Sequence, residues 1–247
     1  MPCTEVTIPT PDGTASATLH TPDGAGPWPG VIVYFDAAGI REAFQQMADR
    51  LAGLGYAVLL PDLYYRAGEY APFDMKTLFS TPSERDRFRA FSSQLTADAI
   101  AGDTGAYLDF LAGRPEVAAG GVGVVGYCMG GRLAMIVAAA HPDRIAAAAS
   151  FHGGRLADEA DPDSPHRTVD KIHATVLVAA AQDDHSFPAE QFERLEQALT
   201  AAGVSHTIDT YAAAHGFAVP DNRSYDEAAA ERHWVELADL YARALGG

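Results

Sequence analysis

Cys128, His215 and an aspartate at position 183 or 184 are the residues whose types and spacing can do covalent chemistry. Cys128 sits in Gly126-Tyr127-Cys128-Met129-Gly130-Gly131, with glycines two residues before and two after it. This is the G-x-nucleophile-x-G spacing of a nucleophile elbow, a sharp strand-to-helix turn that pushes the central side chain outward. The spacing has a steric cause, because Cβ atoms at the flanking positions would collide with the neighbouring strand and helix. Asp183 and Asp184 follow a second strand-like run, and His215 lies in a Gly-flanked loop after a third. The order is nucleophile, acid, base, as in α/β-hydrolases and unlike the chymotrypsin or subtilisin orders. A free thiol with a pKa near 8.5 is only about 3% thiolate at neutral pH; a helix N-terminus and a nearby imidazolium both favour the ionised form. His215 would take the proton and return one to the leaving group, and the aspartate would fix the imidazole tautomer. A tetrahedral intermediate needs amide donors set in advance. The backbone N–H groups of Met129, just after the nucleophile, and Ala37, after an early strand, are the natural pair. The plainer reading of Cys128 is a buried cysteine on an ordinary Gly-rich turn.

These residues need a scaffold that brings several strand ends together. Val6–Ile8 and Ala15–His20 read as a hairpin turning at Pro11-Asp12-Gly13. Val31–Phe35, Ala57–Leu60, Gly121–Gly126, Ile145–Phe151, Thr175–Ala180 and His206–Tyr211 read as further strands. Between them, Ile40–Leu54, a segment opening at the capping box Thr81-Pro82-Ser83-Glu84, Ala97–Ala112, the apolar run Leu133–Ala140, and Pro188–Ala202 read as helices. A last helix opens at the capping box Ser224-Tyr225-Asp226-Glu227 and runs to about Leu245. Residues 63–80 carry many aromatics without a clean period and read as a long loop. Strands alternating with helices predict one α/β domain over residues 1–247, a mostly parallel central sheet with helices on both faces.

Composition bounds the function. The 247 residues are 48% hydrophobic, enough for one substantial core. The formal net charge of −16 argues against nucleic acid and against an anionic membrane surface as partners. No apolar run is long enough to span a bilayer and no basic, apolar leader opens the chain, so a cytoplasmic setting is expected. The only two cysteines are Cys128 and Cys3, the latter near an end read as loose; a disulfide is not expected, and two cysteines cannot form a Cys-only metal site. A redox-sensing thiol is disfavoured by the lack of a nearby resolving cysteine.

The elbow Gly126-Tyr127-Cys128-Met129-Gly130-Gly131 resembles that of the dienelactone hydrolase family. The resemblance extends to Gly55-Tyr56-Ala57-Val58-Leu59-Leu60-Pro61-Asp62-Leu63-Tyr64, to Asp184-His185-Ser186-Phe187-Pro188, and to His215-Gly216-Phe217. In that family the acid lies four residues before a proline, which selects Asp184 over Asp183. The resemblance implies an α/β-hydrolase fold and hydrolysis of a small ester or lactone through a thioester acyl-enzyme. No metal, no organic cofactor and no obligate protein partner are implied.

Two departures bear on substrate. Dienelactone-specific members place a Glu after the early strand to hold the resting thiol; here Asp36 stands there, one methylene shorter and placed to contact Cys128. They also grip a substrate carboxylate with arginines, one of them four residues after the catalytic His, and here that position is Val219. Arg66, Arg85, Arg87, Arg89 and Arg223 are the candidates to compensate. Asp36, Tyr64, Tyr65, Arg66, His152 and Phe217 are therefore the expected pocket residues. A general small-ester carboxylesterase, or a ligand-binding member of the fold without activity, are the rival expectations.

Overall fold

A computed structural model describes residues 1–246. The order of elements is β1 (Cys3–Thr10), β2 (Gly13–His20), β3 (Gly30–Tyr34), α1 (Glu42–Gly53), β4 (Ala57–Pro61), α2 (Pro82–Ser92), α3 (Ala97–Ala112) and β5 (Val122–Tyr127). Then come α4 (Met129–Ala140), β6 (Ile145–Phe151), β7 (Thr175–Ala181), α5 (Ala189–Ala201), β8 (His206–Tyr211) and α6 (Glu227–Leu245). The strands form one eight-stranded sheet in the order β1-β2-β4-β3-β5-β6-β7-β8. β1 and β2 pair antiparallel, as do β2 and β4, and all remaining neighbours are parallel.

β3, β4 and β5 are buried at every residue, as their unbroken apolar runs require of strands covered on both faces. Gly123 and Gly126 of β5 show the two layers directly, since an odd separation along a strand points them to opposite faces. A Cβ on Gly123 would lie 2.7 Å from the Tyr241 ring of α6, whereas one on Gly126 would lie 1.9 Å from the Gly130 carbonyl in α4. α4 is buried along most of its length, as its all-round apolar sequence predicts.

The structure corrects three local expectations. Cys3 is not in a loose end: it pairs with His20 in the β1–β2 ladder, which runs further than the apolar residues alone indicate. The final helix does not open at Ser224. The Ser224 amide is held by Asn222 Oδ1 and the Tyr225 amide by the Asn222 carbonyl, so the chain is still turning, and Asp226 caps the helix through the Ala229 amide. Thr81 does precede α2, with Pro82 at its first position, but its hydroxyl makes no capping bond. No helix among the described residues is long and apolar enough to cross a membrane.

Candidate active site

The β5–α4 junction forces Cys128 into φ 55°, ψ −116°, a conformation that costs a non-glycine residue of order 1–3 kcal/mol and persists only where surroundings impose it. The flanking glycines permit it. A Cβ on Gly130 would stand 2.2 Å from the Tyr34 carbonyl, and the 1.9 Å approach at Gly126 is equally prohibitive. The Cys128 amide donates to the Phe151 carbonyl at 3.0 Å and to His152 Nδ1 at 3.1 Å, which anchors the elbow to the end of β6.

Three strand ends converge on this turn. Cys128 Sγ lies 3.0 Å from His215 Nε2, and His215 Nδ1 lies 2.6 Å from Asp184 Oδ2. The other Asp184 oxygen accepts the Ser186 amide at 2.8 Å and the Ser186 hydroxyl at 2.7 Å. Asp183, exposed and itself at φ 53°, makes no such contact with the imidazole; between the two aspartates it is Asp184 that the structure brings to His215. Burial penalises the His215 cation, but the facing Cys128 sulfur and the hydrogen-bonded Asp184 carboxylate outweigh it and hold the pKa up at about 10. Burial likewise works against the Asp184 carboxylate, yet the bonds from His215 and Ser186 keep its pKa below the usual range. His152 is fully buried and held neutral, first by burial and next by the neighbouring His215 charge. Its Nδ1 accepts from Cys128, so the proton resides on Nε2, which has no partner.

The amides of Ala37 and Met129 donate to no other group among the described residues and remain available. Both residues, with Cys128, Asp184 and His215, line a cleft of about 1350 Å³. Its far walls are Met75 and Phe79 from the long loop, Phe88 and Ser92 from α2, Leu95, and Leu133 from α4. Arg132 and Arg155 complete the rim. Both are already paired: Arg132 with Asp161 at 3.0 Å, Arg155 with Asp158 at 3.0 Å.

The six expected pocket residues lie elsewhere than on the cleft lining. Asp36 is buried and bonded to Arg41 and to the Ala38 amide, rather than to Cys128. Tyr64 is buried behind the loop that follows β3, where its hydroxyl donates to the Ala37 carbonyl at 3.1 Å. Tyr65 and Arg66 point away, to the fully buried Asp103 of α3, and Arg66 also reaches Asp12 in the β1–β2 turn. His152 and Phe217 pack on each other behind His215, ring centroids 5.0 Å apart. Among the compensating arginines, Arg87 stacks on Phe73, Arg89 pairs with Asp86, and Arg223 donates to the Lys76 carbonyl. Arg85, on the same α2 face as Phe88 by spacing, has no ion pair among the described residues and is not on the cleft lining. Val219 is fully buried in the core.

Residues 15–245 match the family model described as the dienelactone hydrolase family. The chain belongs to the dienelactone hydrolase family. A protein from Synechocystis sp. provisionally named carboxymethylenebutenolidase is 30% identical over 245 residues, covering 98% of this chain and 97% of that one. A Rhodococcus opacus carboxymethylenebutenolidase is 26% identical over 231 residues, covering 92% and 86%. Among solved structures, a provisionally named dienelactone hydrolase from Klebsiella pneumoniae superposes with a TM-score of 0.84 at 28% identity, over 98% of both chains. This dienelactone hydrolase family member thus has the α/β-hydrolase fold over its whole described length.

Proposed function

We propose that this dienelactone hydrolase family member cleaves small carboxylic esters or lactones with Cys128 as nucleophile, through a thioester acyl-enzyme. The observation that carries the proposal is the Cys128–His215–Asp184 line, with contacts of 3.0 and 2.6 Å, set beside two unengaged amides. The Sγ–Nε2 contact lets the thiol proton pass to an imidazole whose charge Asp184 balances. The thiolate attacks the substrate carbonyl carbon. The resulting oxyanion accepts the N–H groups of Ala37 and Met129, and each such donor is worth about 10²–10³ in rate. As the tetrahedral intermediate collapses, His215 Nε2 delivers its proton to the departing alkoxide oxygen. A thioester remains on Cys128. Neutral His215 then takes a proton from water, the hydroxide adds to the thioester carbon, and the second collapse releases the carboxylic acid and restores the thiolate. Asp184 keeps Nδ1 protonated throughout and balances the imidazolium charge.

A general ester specificity, without preference for a dienelactone carboxylate, is favoured by the cation inventory of the cleft. Val219 stands where dienelactone-specific members carry an arginine, and both arginines on the lining are paired with aspartates. The test combines a substrate panel with intact-protein mass spectrometry. A small activated ester should be turned over by the wild type and leave an acyl adduct on Cys128, and Cys128→Ala should lose both. Undiminished turnover by Cys128→Ala would remove the nucleophile assignment. A strong preference for esters bearing a free carboxylate would replace the general reading with the dienelactone one.

A further inference from the structure

Asp36 carries a carboxylate that is 1% exposed beside the oxyanion loop, and a buried carboxylate needs a cation. Arg41, at the N-terminal boundary of α1, supplies it in a bidentate pair: NH1 donates to Oδ1 at 2.8 Å and NH2 to Oδ2 at 2.9 Å. NH1 also donates to the Gly39 carbonyl at 3.2 Å. The other edge of the same guanidinium grips Asp221, with Nε to Oδ2 at 2.6 Å and NH2 to Oδ1 at 2.8 Å. All five N–H donors are thereby committed, and the group rests 5.0 Å over the Phe44 ring.

The two partners of Arg41 belong to different parts of the site. Asp36 Oδ1 accepts the Ala38 amide at 2.9 Å and the Asp36 carbonyl accepts the Gly39 amide at 3.3 Å, so Asp36 shapes the turn that presents the Ala37 N–H. Asp221 lies in the loop that follows His215, tied back to it by the Val219 amide on the Gly216 carbonyl and the Asn222 amide on the Val219 carbonyl. Sequence separation between Arg41 and Asp221 is 180 residues, so this clasp is a purely tertiary feature.

We propose that Arg41 is a positioning residue that clasps the Ala37 turn to the His215 loop and neutralises Asp36. The oxyanion donor and the general acid–base then keep a fixed separation, and no unbalanced carboxylate faces the thiolate. The inference rests on the ester-hydrolysis reading above. It requires a fork with donors on two edges; a lysine ammonium is a point charge and cannot replace it at both carboxylates with the same geometry.

The experiment measures kcat and KM for p-nitrophenyl acetate, and the inhibition constant of an aryl trifluoromethyl ketone, for wild type, Arg41→Met, Arg41→Lys and Asp221→Ala. The ketone forms a tetrahedral adduct on the thiolate and so reports the oxyanion site. Arg41→Met should lower kcat by about 100-fold with KM changed by less than about threefold, and weaken the ketone in proportion. Arg41→Lys should recover part of that loss, and Asp221→Ala should lower kcat by about 3–10-fold, because one anchor of two is gone. Should Arg41→Met fail to fold, the other two variants carry the test. Values of kcat and ketone affinity within about twofold of an active wild type would overturn the proposal, as would a loss confined to KM. A wild type without Cys128-dependent turnover would instead sink the hydrolysis reading, and this inference with it.

Discussion

Asp184 gives one oxygen to His215 and the other to Ser186, so a single carboxylate both orients the imidazole and is itself held by two donors. A carboxylate fixed in this way has one geometry, and the imidazole inherits it. Asp183 is adjacent in sequence, exposed on the cleft lining, and makes no hydrogen bond to the ring among the described residues.

That contrast predicts a large asymmetry between neighbours. Asp184→Asn should reduce kcat by about 10²–10⁴-fold, since an amide can stabilise the wrong tautomer and balances no charge. Asp183→Asn should stay within about threefold. Steady-state kinetics on one activated ester decide it, and comparable losses in the two variants would reassign the acid.

The His215 pKa of about 10 sets the alkaline limit. An imidazole raised above its ordinary value near 6.5 contributes stability that is complete below that pH and lost as pH rises through the folded value. Activity should follow the same proton. In the proposed mechanism the leaving-group step needs the imidazolium, so kcat/KM should hold through neutral pH and fall as pH approaches 10. Asp184→Asn should move that limb to lower pH. A pH–rate profile of both proteins checks this, and coincident alkaline limbs would contradict it.

Acid stability depends on histidines that do no chemistry. Burial drives the His233 pKa down to about 3, against the bond it makes to the Ala230 carbonyl, and His152 is also held well below its ordinary range. The unfolded chain therefore binds protons that the native state refuses, and stability should fall as pH drops below about 6.5. His233 alone should cost about 2 kcal/mol at pH 4.5 relative to pH 6.5, an interval over which folded His215 stays protonated and adds little. Urea midpoints at the two values measure the loss. His233→Gln should flatten the dependence, and an equal slope in that variant would show that the protons are taken up elsewhere.

The elbow glycines offer a steric test. Gly126→Ala and Gly130→Ala each set a Cβ within 2.2 Å of a backbone carbonyl, so both should abolish folding or unseat Cys128. Gly53, at the end of α1, has nothing within 4 Å of the same position. Gly53→Ala should be neutral or stabilising by up to about 1 kcal/mol. Thermal melts and thiol-alkylation rates separate the two classes, and a soluble, active Gly126→Ala would refute the strain argument.

What could be read without coordinates was the part of the molecule built from short, regular pieces. The β5 elbow and the Asp184 loop each follow a strand of buried apolar residues, the His215 loop follows the half-exposed edge strand β8, and parallel strands put such ends on one edge of a sheet. The cleft walls were illegible for the converse reason. Met75, Phe79 and Leu95 lie outside any helix or strand, and Arg132 and Arg155 reach the rim because of how residues 154–164 loop back. Tyr65 and Arg66 face away from the cleft because a buried aspartate in α3, invisible to local pattern, claims them both. The pairing of Arg41 has one signal in the sequence: an aspartate at the end of a fully buried strand demands a cation, and Arg41 is the nearest arginine along the chain.

α2 lends Phe88 and Ser92 to the cleft, yet none of its residues is fully buried. α2 supplies no residue of the sheet, the elbow or the clasp, and touches the Ala37 turn only through Phe91, whose ring meets Tyr64 at 5.4 Å. Selection can therefore re-tailor this wall of the cleft at small thermodynamic cost while Phe91 is kept, and an α2 from a relative that retains it is the natural starting graft for changing which ester the protein prefers.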